Sequence, residues 1–386
     1  MSQGPDWTLH GHLIGRQGSR RSLNTPALVL DLDALDANIA AMAKLAAEAG
    51  VKLRPHAKTH KSADIARRQI AAGAVGQCCA KLGEAEALAE AGIGGLLITS
   101  PVVSAPVVER LIALNSRSEG LMVAADHPDA VDALGRVAQA AGQTLAVVVD
   151  VDPGLRRTGV ASAADAVALA RRIQDHPALR YAGVQFYCGS QQHIEAFAER
   201  RAAIEERTGY LREVLKALDE AGAPAPLVTG GGTGTHRIDM ELGVFTELQV
   251  GSYVFMDRQY LECDLTGRDA EAGAPFRTSL MVDARVVSAN SPGLATVDAG
   301  FKAFATEAGP PTILSGAPEG ARYAFMGDEH GAVIGPERTT RLALDSLVTF
   351  GVPHCDPTVN LYDSYHVVRD DTLVDIWPVT ARGRSR

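Results

Sequence analysis

The sequence predicts a two-domain α/β protein, a (β/α)8 TIM-type barrel followed by a mostly-β domain. Three observations carry that expectation. From about residue 51 to residue 250, short apolar runs alternate with Ala-rich amphipathic stretches, the pattern of parallel strands buried on both faces. Near residue 265 the texture changes to strands separated by Gly/Pro turns, which reads as a β domain. Residues with chemistry to offer follow directly behind the apolar runs, as they do at the C-terminal mouth of a barrel.

The chain of 386 residues accommodates a barrel of roughly 250 residues and a second domain. With 46% hydrophobic and 22% charged residues the composition is globular. A net charge of −9 weighs against nucleic acid or an anionic membrane as the main partner. The five cysteines (Cys78, Cys79, Cys188, Cys263 and Cys355) show no CxxC spacing, so we expect reduced thiols and a cytoplasmic protein. No signal core opens the chain, and no apolar run approaches the roughly 20 residues that span a bilayer.

In chain order, residues 1–23 read as a loose arm. Ala27–Asp31 is a strand, and Asp33 can cap the helix that carries Leu35, Ile39 and Met42. Barrel strands are predicted at 51–54, 75–79, 95–99, 120–124, 145–150, 182–187, 226–229 and 247–250. Helices are predicted at 61–72, 83–91, 104–115, 128–141, 162–175 and 193–221. The barrel domain is placed at 24–265 and the β domain, joined by the arm, at 266–386. Thr266-Gly267-Arg268 and Ala272-Gly273-Ala274-Pro275 form the link. Strands of the second domain are expected at 277–289, 294–298, 312–315, 321–326, 345–350 and 373–379.

Behind the first barrel strand stands Arg54-Pro55-His56-Ala57-Lys58-Thr59-His60-Lys61, with two lysines that can act as a covalent anchor. The cations around them are expected to help lower the anchor's pKa. Arg157 follows the fifth strand, and Tyr187 and His193 follow the sixth. Gly230-Gly231-Gly232-Thr233-Gly234 follows the seventh strand and Gly251-Ser252-Tyr253 the eighth, where barrels often hold phosphate. Glycines let the backbone approach an anion, and Thr233 adds a hydroxyl donor. The run is neither a Walker loop nor a GxGxxG fingerprint. A lysine on one side of the mouth and a phosphate cradle on the other suit pyridoxal 5′-phosphate. Arg157 can neutralise its phenolate, and Tyr187 can meet its ring. In the second domain, an extended Pro353-His354-Cys355-Asp356 would turn His354 and Asp356 to one side, a ligand pair for Mn²⁺, Mg²⁺, Co²⁺ or Zn²⁺.

Taken together, these segments resemble the alanine-racemase-like (fold type III) pyridoxal-phosphate enzymes. The likeness is greatest to the D-threonine aldolase, 3-hydroxy-D-aspartate aldolase and D-serine dehydratase family. Val297-Asp298-Ala299-Gly300 and Asp328-Glu329-His330-Gly331 add to it. The resemblance implies that Lys58, rather than Lys61, is the Schiff-base lysine, with Lys61 in the first turn of the next helix. It further implies that Thr233, Gly251 and Ser252 hold the phosphate, that Arg157 and Tyr187 attend the ring, and that His354 and Asp356 bind the metal. It implies a head-to-tail homodimer, with the β domain of one subunit closing the barrel mouth of the other so that the active sites are completed across the interface. One departure is plain: relatives often carry Gln after the paired cysteines, where this chain has Ala80 and then Lys81.

The function expected on this basis is a retro-aldol cleavage of D-3-hydroxy amino acids to glycine and an aldehyde, with His193 as general base. Dehydratases of the family typically carry Cys where Asp356 stands, and an oxygen ligand favours harder ions. The alternatives are a 3-hydroxy-D-aspartate aldolase and a D-serine or D-3-hydroxyaspartate dehydratase. A racemase, which needs no metal, ranks below both.

Overall fold

The computed structural model describes residues 4–267 and 275–386. Among them, the barrel strands are β2 (Lys52–Leu53), β3 (Gln77–Cys79), β4 (Leu96–Ile98), β5 (Met122–Ala125), β6 (Leu145–Asp150), β7 (Leu179–Phe186), β8 (Leu227–Gly230) and β9 (Glu247–Leu248). They form a parallel sheet in the order β2-β9-β8-β7-β6-β5-β4-β3. The ring closes just beyond the end of β2, where Cys78 N donates to Pro55 O and Ala57 N to Cys78 O, both at 2.8 Å. Barrel closure therefore falls in the lysine-bearing segment itself.

Helices α3 (Ala63–Ala71), α4 (Leu82–Glu90), α5 (Ala105–Asn115), α6 (Pro128–Ala140), α7 (Ala163–Asp175), α8 (Phe197–Glu220) and α9 (His236–Leu242) occupy the connections. Their sequences explain their ends and their faces. Ser162 caps α7 by accepting from Asp165 N at 3.1 Å, while Ala166, Leu169, Ala170 and Ile173 are its buried stripe. Pro128 opens α6, whose Val131, Leu134 and Ala138 are likewise buried. The helix α2 (Leu32–Ala49) is capped by Asp31, which accepts from Ala34 N at 2.9 Å. Asp33, expected as the cap, stands in its first turn.

The second sheet holds β1 (Ala27–Asp31) together with β10 (Leu280–Ser291), β11 (Leu294–Val297), β12 (Thr312–Ser315), β13 (Arg322–Phe325), β14 (Gly331–Ile334), β15 (Leu347–Gly351), β16 (Ser364–Arg369) and β17 (Thr372–Pro378). β1, counted in the barrel domain from the sequence, pairs antiparallel with β10 and parallel with β16. Leu28 and Leu30 enter one core and Ala27 and Val29 another, so its uniform apolarity cannot tell which sheet it joins. β14 and β16 were not expected from the sequence. The arm also departs from expectation. Helix α1 (Pro5–His10) docks Trp7, whose Nε1 donates to Ile376 O at 3.0 Å, and Leu13 and Leu23 join a buried cluster. Part of the predicted link, residues 268–274, lies outside the described residues, as do residues 1–3.

One core runs through both domains, joining Leu53, Ile65 and Val250 of the barrel to Val282 and Phe350 of the second sheet. Inside the barrel the small apolar side chains Cys78, Ala124, Ala146 and Ala182 pack together. Beside them Arg54 makes a two-pronged ion pair with Glu247, at 2.8 and 3.0 Å. Cys78 and Cys79 face opposite sides of β3, as expected, in different clusters, and all five cysteines are free.

Candidate active site

A cavity of about 640 Å³ opens at the barrel mouth. Of the sequence-selected residues, Lys58, Arg157, Tyr187, Gly232, Thr233, Gly251 and Ser252 line it.

The lysine segment is held from several sides. His56 N continues the ladder to Val250 O at 2.9 Å, and Thr99 Oγ1 lies 3.1 Å from His56 Nε2. From the second domain, the Tyr365 hydroxyl donates to His60 O at 2.5 Å and Ala381 N to Lys61 O at 2.9 Å. These ties separate the two lysines. Lys61 does not enter a helical turn: it adopts a left-handed conformation (φ 48°) before the Ser62 cap of α3, and its ammonium is paired with Glu84 in the interior. Lys58 points to the mouth, where Nζ donates to Asp356 Oδ1 at 2.6 Å. Burial alone would lower the Lys58 pKa, but the charge of Asp356 outweighs it and raises it. The expected lowering by neighbouring cations is therefore not what this arrangement produces. Burial keeps His56 and His60 below the usual imidazole range, His60 at about 4, and Glu84 neutralises Lys61.

The glycine run forms the opposite wall. A Cβ on Gly232 would lie 2.4 Å from Gln192 Oε1, and one on Gly251 would lie 2.7 Å from Thr59 Oγ1, so a side chain at either position would have to displace its neighbour. Gly232 N donates to Thr235 Oγ1 at 3.2 Å, and that hydroxyl donates to Asp239 Oδ2 at 2.6 Å. Thr233 Oγ1 accepts from Tyr253 N at 3.0 Å, tying the two loops together. Gly231 and Tyr253 do not line the cavity. Gly231 takes a positive φ of 67° against Asp239 and Leu248. The Tyr253 ring packs on Phe276, with its hydroxyl accepting from Gln69 Nε2 at 3.0 Å.

Between these walls the Arg157 guanidinium stands 5.7 Å from the Tyr187 ring centroid, within cation–π range. Burial, partly opposed by Lys58, raises the Tyr187 pKa. Sequence reasoning missed the polar floor. Gln185 Nε2 donates to Asp150 Oδ1 at 2.9 Å, and Gln249 Nε2 donates to Gln185 Oε1 at 3.2 Å. The available signal was a glutamine inside an apolar strand, Val184-Gln185-Phe186. Ala80 and Lys81, behind the paired cysteines, line the cavity too.

The second domain brings two further titratable groups to Lys58. His354 and Asp356 do come together, with Nε2 and Oδ2 3.8 Å apart, but not through an extended segment. His354 precedes the short helix α11 (Cys355–Val359), and Asp356 lies in its first turn. Cys355 is turned inward, its N–H donating to Asp257 Oδ2 at 2.9 Å. Burial would raise the Asp356 pKa, yet Lys58 and His354 hold it well below the usual carboxylate range. His354 Nδ1 meets Glu307 Oε1 at 2.6 Å, a contact that the sequence spacing does not announce. The His193 ring lies 4.6 Å from that of Tyr260, tilted by 40°; Tyr260 lines the cavity, whereas His193, expected there from the sequence, is exposed and does not line it. Burial, followed by the charges of His354 and Lys58, lowers the His193 pKa. The Asp328–Gly331 segment leads into β14, with Glu329 paired to Lys302 on the surface at 2.5 Å.

A parallel barrel with a lysine at its mouth and a β domain over it defines the fold type III class of pyridoxal-phosphate enzymes. Residues 30–259 match the family described as alanine racemase, N-terminal domain, and residues 279–368 match a putative serine dehydratase domain. Within that class the chain belongs to the family of D-threonine aldolases, 3-hydroxy-D-aspartate aldolases and their dehydratase relatives. It is 39% identical to a D-threonine aldolase of an Arthrobacter species over 94% of both chains. It is 35% identical to a 3-hydroxy-D-aspartate aldolase of Paracoccus denitrificans, covering 94% of this chain and 93% of the relative. Among solved structures it is similar to D-threonine aldolase from Filomicrobium marinum (TM-score 0.90, 38% identity, 94% of this chain and 97% of the other). It is also similar to D-threo-3-hydroxyaspartate dehydratase from a Delftia species (TM-score 0.83, 28% identity, 93% and 98%). That dehydratase has been solved with a histidine and a cysteine, two positions apart, each replaced by alanine, the cysteine variant in metal-free form.

Proposed function

We propose that this protein is a pyridoxal-phosphate- and divalent-metal-dependent lyase that cleaves D-3-hydroxy amino acids of the D-threonine type to glycine and an aldehyde. The observation that carries the reading is the meeting of two sites at one mouth. Lys58 Nζ lies 2.6 Å from Asp356 Oδ1, and Asp356 Oδ2 lies 3.8 Å from His354 Nε2. The cofactor fits the residues present: a reachable lysine, a wall in which Gly232 and Gly251 expose their backbone to the cavity, and a volume of about 640 Å³, within the range of small-molecule sites. The metal fits as well, because one ion can contact both donors at roughly 2.0–2.2 Å each.

Bound pyridoxal phosphate supplies an electron sink for the bond being broken, and a bound divalent cation lowers the pKa of the substrate's β-hydroxyl. The protein's own groups do the rest. Lys58 would hold the cofactor through its side-chain amine, which must be free of its proton to do so. Thr233, Gly251 and Ser252 would hold the phosphate, while Arg157 and Tyr187 would attend the ring. His354 and Asp356 hold the metal. His193 takes the β-hydroxyl proton, and its lowered pKa keeps it neutral near pH 7 and able to accept one. The dehydratase relative's histidine–cysteine spacing supports a division of labour: Asp356 here supplies a hard oxygen ligand, suited to Mn²⁺ or Mg²⁺, with Co²⁺ or Zn²⁺ less favoured. The second reading is an aldolase of 3-hydroxy-D-aspartate, favoured by the Paracoccus relative. We take the enzyme to be a homodimer, from the family resemblance, and cytoplasmic, from its free thiols. No described helix is long and apolar enough to cross a membrane.

The test is a panel of D-3-hydroxy amino acids assayed with and without chelator, following aldehyde and keto acid separately. Aldehyde release that chelation abolishes and Mn²⁺ restores is expected. Keto acid from D-serine forming faster than aldehyde from D-threonine would sink the aldolase reading. Lys58→Ala protein should hold no covalently bound cofactor and show no turnover.

A further inference from the structure

Glu307 lies outside every motif that carries the family resemblance, on the turn segment 303–309 of the second domain. That segment has no regular secondary structure, yet it is fastened at three points. Tyr362 donates its hydroxyl to Ala303 O at 3.0 Å, Ala305 N donates to Thr358 Oγ1 at 3.0 Å, and Arg258 Nη2 donates to Ala308 O. The middle tie continues into the site, because Thr358 Oγ1 donates onward to His354 O at 2.7 Å. Segment 303–309 and the His354 backbone are thus linked by a two-step hydrogen-bond relay. The product of this fastening is one contact, Glu307 Oε1 to His354 Nδ1 at 2.6 Å.

An ionised carboxylate only accepts hydrogen bonds, so Nδ1 carries a proton, and in the neutral ring that metal binding requires Nε2 carries the lone pair. Nε2 is the atom on the Asp356 side. We propose that Glu307 is a positioning residue that fixes the tautomer and ring orientation of His354 for metal binding, an inference that rests on the metal-dependent reading above. A carboxylate on the outer nitrogen also makes the inner one a stronger ligand, and loss of such a partner typically weakens metal binding by about 10–100-fold. The competing explanation is a surface ion pair. Glu307 is 55% exposed, and exposed pairs contribute little; that explanation predicts no change in metal affinity when Glu307 is removed.

The experiment is a titration of cofactor-loaded enzyme with Mn²⁺, reading free Mn²⁺ by electron paramagnetic resonance, for wild type, Glu307→Ala and Glu307→Gln. Glu307→Ala should bind Mn²⁺ about 10–100-fold more weakly. Glu307→Gln, which keeps an acceptor oxygen but not the charge, should lose less. Metal-free melting temperature and cofactor content should not change in either variant. Wild-type affinity in Glu307→Ala overturns the proposal, as does a loss that runs parallel to lowered melting temperature and cofactor content. A wild-type enzyme that binds no Mn²⁺ overturns the metal-dependent reading first, and this inference with it.

Discussion

Lys58 and Asp356 come from different domains, and each sets the other's charge. Burial opposes both ions, and at 2.6 Å their attraction prevails, raising one pKa and depressing the other. A cation bound by Asp356 would take over that role and release the Lys58 ammonium toward deprotonation. A second carboxyl, Asp239, behaves in the opposite way, because it is buried behind the glycine wall with the Thr235 hydroxyl and no cation. Burial pushes it up to about 7, with the Thr235 bond a lesser opposing effect. Between pH 4 and 7 the native state then holds a proton that the unfolded chain has lost, so stability falls as pH rises, by up to about 1.4 kcal/mol per pH unit. Asp239→Asn should flatten that slope, a difference measured from urea midpoints of the two proteins at pH 5 and 7. An unchanged slope would show that Asp239 is not protonated in the fold.

At the scale of elements, the site is a set of short connections held by their neighbours. The loop between β8 and α9 keeps its shape because Gln192, from the loop after β7, accepts from Gly234 N at 3.0 Å and sits where a Gly232 side chain would go. Gly232→Ala should strain this loop by about 1–3 kcal/mol and weaken pyridoxal-phosphate binding roughly tenfold or more. Fluorescence titration of the cofactor measures it, with far-ultraviolet circular dichroism unchanged. Much of this level is legible in sequence: Ser162, Pro128 and the apolar stripes of α6 and α7 fix their helices within a residue or two. The segment at His354 is different. Its alternation reads as extended, yet Cys355–Val359 is helical, because Asp257 takes the Cys355 N–H and Thr358 back-bonds to His354 O. The second is local, but the first joins residues 98 positions apart and belongs to the tertiary structure.

The whole molecule is two domains sharing one core, with the lysine segment between them. Tyr365 reaches across to His60 O at 2.5 Å. Tyr365→Phe should leave that carbonyl without its donor, cost about 1–3 kcal/mol and lower kcat more than it raises the Michaelis constant. Chemical denaturation and steady-state kinetics on the same preparation measure the two effects, and wild-type values in both would refute the clamp. Within the barrel, Glu247→Ala leaves Arg54 buried without a partner, and unfolding should become easier by about 3–5 kcal/mol. A loss below about 1 kcal/mol would mean that the pair behaves as a solvated one.

The sequence by itself determined the alternation of strands and helices, the two textures of the chain, and the chemical groups behind each strand. Those follow from local periodicity and from residue types that only certain backbones accept. It could not assign β1 to a sheet, since a strand apolar on both faces fits either. Nor could it choose between Lys58 and Lys61 without a resemblance to lean on. The tertiary structure gives the two lysines different surroundings: Glu84 captures one in the interior, and Asp356, arriving from a distant part of the chain, meets the other at the mouth. Contacts between residues hundreds of positions apart leave no period in a sequence to read.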